Sequence, residues 1–362
     1  MRKNVSNPNP VDTNLDRRSF LAGAGLGGLS LLLAGCSSSS DSGSSTGSAA
    51  TEAEEEEEVE EESTEVRVAS LKGPTTIGLV SFMDLTENDP DSYNNTYTFT
   101  MGSAADEILP SVISGDVDIA LIPSNSAAVL YNNTDAGVSC IDINTLGVLN
   151  VVTGDTSIVE FSDLANHTVY LTGKGATPEY SMNYLLEQAG IADTVTLEFK
   201  SEATEVVSVV TADTTAVGVI PQPFVTVALN SNEALSAPID LTDVWEEYAG
   251  DTGSQLLTGV TVVRNEFLEE HPGAVEEFLE GHATSVETVL DDPESAAVLV
   301  AEAGIIDSEE VAAQAIPECH LVCITGDEMK EALSGYLQVI YDSDAEAVGG
   351  AMPGDDFYYG AE

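Results

Sequence analysis

The chain has 362 residues, too many for one compact domain and enough for two domains with full cores. Apolar residues make up 43% of it, which excludes disorder throughout. Ten basic residues face 63 acidic ones, a net charge of -53 that excludes nucleic acid and anionic membrane surfaces as partners, because both require Lys and Arg. From Val66 to Glu362 there are six basic residues (Arg67, Lys72, Lys174, Lys200, Arg264, Lys330) and 50 acidic ones, a net of -44. Such a surface repels itself at low ionic strength, whereas at molar salt the Debye length falls to about 3 Å. The composition therefore predicts a halophilic host, with an ordinary acidic protein as the alternative.

The N-terminus reads as an address. Asp16-Arg17-Arg18-Ser19-Phe20-Leu21 resembles the twin-arginine export motif, with Arg17 and Arg18 as the signal pair. The apolar stretch from Leu21 to Ala34 is shorter than the ~20 residues needed to span a bilayer. It ends in Leu33-Ala34-Gly35-Cys36, which resembles a lipobox, with Cys36 as the lipidated residue after cleavage. Residues 1–35 are thus expected to be a twin-arginine lipoprotein signal peptide. Residues 36–65, rich in Ser, Gly, Ala and Glu, cannot bury enough apolar surface to offset chain entropy and are expected to form a disordered acidic linker.

Beyond Val66, short apolar runs alternate with amphipathic segments. Expected strands are Val66–Leu71, Asp118–Ile122, Gly147–Val152, Thr168–Leu171, Thr194–Phe199, Ala216–Ile220 and Gly259–Val263. Expected helices include Ala104–Ser114, Pro178–Gln188, Glu202–Val210 and Gly326–Tyr341, with Thr177 and Asn265 as N-caps. This alternation predicts an α/β fold with mostly parallel sheets.

Six segments, in order, carry a resemblance. They are Leu71-Lys72-Gly73-Pro74-Thr75, Gly115-Asp116-Val117-Asp118-Ile119-Ala120 running into Ile122-Pro123-Ser124-Asn125, and Asn144-Thr145-Leu146-Gly147. Gly173-Lys174-Gly175-Ala176-Thr177-Pro178-Glu179-Tyr180, Pro221-Gln222-Pro223-Phe224-Val225 and Gly326-Asp327-Glu328-Met329-Lys330 complete the set. Together they resemble the substrate-binding lipoproteins of ABC importers for nitrate, sulfonates, taurine and thiamine precursors. The resemblance implies a two-lobe periplasmic-binding-protein type II fold, each lobe a mostly parallel sheet flanked by helices, with a ligand cleft between. Lobe one would comprise 66–154 and 262–362, lobe two 155–261, with crossings near Thr153–Thr156 and Thr258–Thr261. It also implies an importer permease as partner, a small-molecule ligand, and a lipid anchor on the outer face of the cytoplasmic membrane.

In open α/β sheets ligands sit beyond the carboxyl ends of strands. That places Lys72, Gly73, Pro74, Thr75, Ser124, Asn125, Thr145, Lys174, Gly175, Ala176, Thr177, Gln222 and Phe224 as candidate ligand-binding residues. Gly175, Ala176 and Thr177 open a helix, where backbone N–H groups favour an anionic group. Lys72 and Lys174 stand out in a chain with so few cations, as contacts for a ligand's negative charge or as solvated loop lysines. Phe82, Tyr180 and Phe224 are stacking residues for a flat heterocycle or, alternatively, core. Pro221-Gln222-Pro223 has Gln where close relatives are expected to carry Glu, so no ligand preference carries over directly. A sulfonate-like organic anion is the first expectation and a thiamine-pyrimidine-like heterocycle the second.

No catalytic site, metal site or cofactor is expected. There is no Walker loop, no nucleophile elbow and no cysteine-rich iron motif of the pyrimidine-synthase kind. His167, His271, His282 and His320 lack ligand spacing. Cys140, Cys319 and Cys323 are expected to be free. An enzyme of the pyrimidine-synthase type, or a ligand sensor uncoupled from transport, are the rival classes.

Overall fold

The computed structural model describes residues 63–134, 137–250 and 254–361. The expected signal peptide, Arg17, Arg18, Cys36 and nearly all of the expected linker lie outside the described residues. Among the described residues, no helix is long and apolar enough to cross a membrane.

The chain begins with β1 (Glu65–Leu71), a short α1 (Pro74–Ile77), α2 (Val80–Asn88), β2 (Thr96–Gly102), α3 (Ala105–Ser114), β3 (Ile119–Pro123), α4 (Ser124–Asn133) and β4 (Val138–Leu146). It then passes to β5 (Leu149–Thr153), β6 (Thr168–Leu171), α5 (Thr177–Gln188), β7 (Thr196–Phe199), α6 (Ala203–Ala212), β8 (Val217–Pro221), α7 (Phe224–Ser231), β9 (Ser236–Asp240) and α8 (Leu241–Ala249). It returns through β10 (Leu257–Arg264), α9 (Asn265–Glu270), α10 (Pro272–Asp291), α11 (Pro293–Glu302), α12 (Glu309–Ala315), β11 (Leu321–Ile324) and α13 (Gly326–Ser343).

Two sheets result, in strand order β11-β4-β10-β3-β1-β2 and β7-β6-β8-β5-β9. The expected parallel pairing holds in the trios β2-β1-β3 and β7-β6-β8. The other pairs are antiparallel, so both sheets are mixed rather than mostly parallel. The reason is topological. Strands of a βαβ trio end where the ligand loops begin, but a strand arriving from the other lobe starts there and must run backwards. β10 plays that part in the first sheet and β5 in the second.

This assignment also moves the expected boundaries. β5 pairs with β8 and β9, so the chain changes sheets at Gly147–Val148 rather than near Thr153–Thr156. β10 already pairs with β4 at Leu257, so the return comes just ahead of Thr258–Thr261.

One apolar cluster runs through both lobes. It joins Ile122 and Ile143 of the first sheet to Val151 and Val219 of the second, through Trp245 of α8 and Tyr336 and Leu337 of α13. α13 therefore belongs to the interior of the junction, not to the outside of one lobe. Two expected caps are displaced by one residue. Ala176 and Arg264 occupy the N-cap positions of α5 and α9, and neither caps with its side chain. Thr177 and Asn265 lie inside the first turn, where their side chains bond other elements.

Candidate functional site

The loops after the parallel strands meet along a polar seam between the sheets. From the first lobe come Ser70, Thr75 and Thr76, after or at the end of β1, then Ser124 and Asn125 at the start of α4, and Asn144 and Thr145 at the end of β4. All seven are buried although polar. Burial of so many hydroxyls and amides is tolerable only if each finds a hydrogen-bond partner, and each does. Thr75 and Thr76 both donate through Oγ1 to the carbonyl of Leu71, at 2.7 and 2.6 Å. Ser70 and Thr76 share a hydroxyl contact of 2.7 Å. Thr145 Oγ1 donates to Asn144 Oδ1 at 2.9 Å, and Asn144 Nδ2 donates to Thr261 Oγ1 at 3.2 Å.

Gly259 lies where this half of the seam is tightest. A Cβ there would stand 2.5 Å from Asn144 Oδ1 and 2.9 Å from Thr75 Cγ2. Register shifts flank Gly259 in the β4–β10 pairing, a bulge of the kind that re-aims side chains beside sites. Gly73, which opens the loop to α1, holds φ at 143°, a conformation only glycine adopts freely.

Across the seam, the start of α5 touches α4. Thr177 Oγ1 lies 3.3 Å from both Ser124 Oγ and Asn125 Oδ1, and Asn125 Nδ2 reaches the Gly175 carbonyl at 3.5 Å. Ser124 Oγ also donates to the Leu257 carbonyl at 3.1 Å, and Asn125 Nδ2 to Ala347 O at 3.1 Å. Tyr336 of α13 completes the cluster, with its hydroxyl 3.1 Å from Ser181 Oγ. Burial pushes that phenol up to about 12, against the hydrogen bonds from Ser181, Thr177 and Ser124. A second contact closes the other side, where Asn230 Nδ2 of α7 donates to Gln314 Oε1 of α12 at 3.1 Å.

The expected site residues therefore divide. Gly73, Pro74, Thr75, Thr145 and Ala176 are buried along the seam. Ser124, Asn125 and Thr177 are there too, but their side chains hold the lobes to one another. Gln222 is buried, and its Oε1 closes the first turn of α7 by accepting from Thr226 N and Oγ1 at 3.3 and 3.0 Å. Phe224 packs in the apolar core of the second lobe with Val152, Val206 and Ile220. Phe82 is core as well, ringed edge-on by Tyr93, Tyr97, Phe99 and Phe278. Tyr180 lines a cavity of about 190 Å³ between α5 and α13, away from the seam residues. The expected stacking platform is not assembled from these three rings.

The start of α5 departs from expectation in another way. The N–H of Gly175 donates to the Glu179 carboxylate and that of Ala176 to the Gly173 carbonyl. Two of the donors expected to face an anion are thus already engaged, one of them by a carboxylate of the same helix.

Lys72 and Lys174 behave differently from the other four basic residues of the folded part. Arg67 and Arg264 bind Asp118, Lys200 binds Glu198, and Lys330 binds Asp355. Among the described residues, Lys72 and Lys174 form no ion pair. Lys72 is half-buried beside Gly73, and Lys174 is exposed beside Gly175. On the returning strand, Thr258 Oγ1 is buried without a partner among the described residues, as are Thr242 Oγ1 and Tyr358 Oη elsewhere.

Sequence reasoning did not identify Asn144, Thr258, Gly259, Thr261, Ser181 or Tyr336 as site residues. Asn144 and Thr261, for example, are 117 positions apart and meet only because β4 and β10 pair. The buried polar positions of β4 were the one available signal, since a strand otherwise apolar carries polar residues in its interior only where they find partners.

Two α/β lobes joined by a double crossing, with polar loops facing each other across the junction, define a type II periplasmic-binding-protein fold, that of the solute-binding components of ABC import systems. An ABC transporter protein from Parabacteroides distasonis shares 23% identity, covering 81% of this chain and 98% of that one, with a TM-score of 0.67. The periplasmic aliphatic sulphonate binding protein SsuA of Escherichia coli shares 14%, covering 81% and 90%, with a TM-score of 0.63. The periplasmic nitrate-binding protein NrtA of Synechocystis PCC 6803 shares 10%, covering 69% of each chain, with a TM-score of 0.56. At these identities the likeness is one of fold. No curated protein matches the sequence significantly. Residues 99–296 match the NMT1/THI5-like family, and the chain belongs to that family.

Proposed function

We propose that this protein is an extracytoplasmic receptor that captures a small organic anion between its lobes and delivers it to the permease of an ABC importer. Family membership places it with binding proteins rather than enzymes. The observation that carries the anionic reading is the pairing of cations. Four of the six basic residues in the folded part are neutralised by carboxylates, and the two left over, Lys72 and Lys174, flank the loops at the seam. In a molecule with 50 carboxylates competing for them, an unpaired ammonium beside a cleft is available to a ligand's negative charge. The solved relatives named for sulphonate and nitrate bind small anions of that kind.

Hydroxyls and amides would supply direction to the charge: Thr75, Thr145 and Thr258 from the first lobe and its returning strand, and Gln222 with Ala176 from the second. Because Ser124, Asn125 and Thr177 bind lobe to lobe, they serve this reading as a latch for the closed form. The N-terminal residues Arg17, Arg18 and Cys36 fit export by the twin-arginine route and attachment to the outer face of the cytoplasmic membrane through lipid.

A thermal-shift screen of the purified protein against sulfonates, nitrate and pyrimidines, in molar KCl, tests the reading. A ligand at 100 times its Kd adds about 2.7 kcal/mol, a rise of several degrees. The expected result is a shift with one class of anion that falls about tenfold in affinity in Lys174→Ala or Lys72→Ala, without loss of apo stability. Shifts with neutral heterocycles alone, unchanged in both variants, would refute the anionic assignment.

A further inference from the structure

Asp142, His282 and Cys323 come from three elements, β4, α10 and β11, and each brings one ligand atom within 4.8 Å of the other two. Asp142 and His282 are fully buried, with Oδ2 and Nδ1 3.1 Å apart. The other oxygen of Asp142 accepts from Thr261 Oγ1 at 2.7 Å. None of the six basic residues of the folded part neutralises Asp142: four pair with other carboxylates and two lie in the cleft loops. His282 Nε2 is buried with no partner among the described residues. A carboxylate, an imidazole and a thiol are thus held together in the interior with no Lys or Arg among them.

We propose that this cluster is a site for a soft transition-metal dication of the zinc class, coordinated by an Asp142 oxygen, a His282 nitrogen and the Cys323 sulfur. The donor set is the one such ions select, whereas magnesium and calcium take oxygen ligands alone. Bonds of about 2.0–2.3 Å in a tetrahedron place ligand atoms about 3.3–3.8 Å apart. Asp142 Oδ2 and His282 Nδ1, 3.1 Å apart, need open only slightly to reach this, and Cys323, half-buried on an edge strand, can draw in from within 4.8 Å. The same exposure gives an ion its way in. On binding, the thiol releases its proton to solvent, and the two charges of the ion are matched by one carboxylate and one thiolate. Water completes the fourth position. The bound ion would fasten α10 and the edge strand to β4 directly beneath Thr261 and Asn144, the floor of the seam. The site is independent of which solute the cleft takes.

The full-length protein, reduced and stripped with a chelator, is titrated with Co²⁺ and then with Zn²⁺. The expected result is one ion per chain, a thiolate-to-cobalt charge-transfer band, and its loss on addition of zinc. Cys323→Ser should abolish the band and weaken zinc binding at least tenfold, and His282→Gln should weaken it similarly. In the wild-type protein, stoichiometric Zn²⁺ should slow alkylation of Cys323 several-fold, while Mg²⁺ and Ca²⁺ leave the rate unchanged. That readout needs no variant to fold. Absence of the band, or an alkylation rate indifferent to zinc, would overturn the proposal. Cobalt binding unchanged in Cys323→Ser would equally overturn it, as binding to surface carboxylates.

Discussion

Asp118, just ahead of β3, and Asp142, within β4, are both buried and are partnered in opposite ways. Asp118, 1% exposed, receives the Arg67 backbone N–H at 3.0 Å and its Nε and Nη2 at 2.8 and 2.6 Å, and Arg264 Nη2 at 3.2 Å. Asp142 has a threonine hydroxyl and an imidazole. Two of the chain's scarce cations go to the first, and none goes to the second. The difference teaches that in a chain stripped of Lys and Arg, the surviving arginines mark obligatory internal pairs. A buried carboxylate left without one relies on hydroxyl and imidazole partners from other elements.

The largest effect should come from Asp118→Ala. Removing the carboxylate leaves the guanidinium groups of Arg67 and Arg264 without their shared counter-charge, at a cost of about 3–5 kcal/mol, read as a fall in Tm. His282→Ala should cost less, about 2–4 kcal/mol, because it opens a cavity and leaves Asp142 short of a donor while also removing the orphaned Nε2. Equal losses would show that the two aspartates are equally dependent on their partners, and the contrast would fail.

Acid sharpens the comparison. Burial alone would raise the Asp118 carboxyl, but its hydrogen bonds and ion pair with Arg67 and Arg264 hold it below the usual range. A group with a depressed folded pKa stabilises the protein above its unfolded value, about 3.9 for Asp, and that contribution disappears as pH falls through the folded value. The stability gap between wild type and Asp118→Asn should therefore be full at pH 7 and narrow steadily below about pH 4. A gap that stays constant down to pH 2 would mean the ion pair does not set the acid limb. The smallest effect is expected at the junction. Tyr336→Phe deletes the bond to Ser181 and should cost about 0.5–1.5 kcal/mol in the absence of solute.

Legibility in the sequence followed burial. Seven strands were readable because their apolar runs are buried on both faces or alternate cleanly, as in Ile119–Pro123 and Val217–Pro221. β4 was missed although all but its last residue is buried. Its Ser139, Asp142, Asn144 and Thr145 interrupt the apolar run, and the partners of the first three lie on α9, β10 and α10, far away in sequence. β2 was missed because an edge strand written Thr-Tyr-Thr-Phe-Thr lacks a continuous apolar run. His282 had a signal that went unused. It falls on the buried stripe Val275, Phe278, His282, Ser285, Val286 of α10, where an imidazole must find a polar partner.

Taken alone, the sequence determined the α/β character, the order of the cleft loops and the scarcity of cations, because periodicity, glycine-bearing loops and composition are local properties. The tertiary structure decided which of those loops touch and what each side chain does there. It turned Ser124, Asn125 and Thr177 into contacts between lobes and placed Phe82 and Phe224 in the cores. It engaged the start of α5 with Glu179 and left Lys72 and Lys174 unpaired among the described residues. It also assembled Asp142, His282 and Cys323 from positions more than 40 residues apart. Such meetings depend on strand pairing and helix docking across long separations, and no local pattern encodes them.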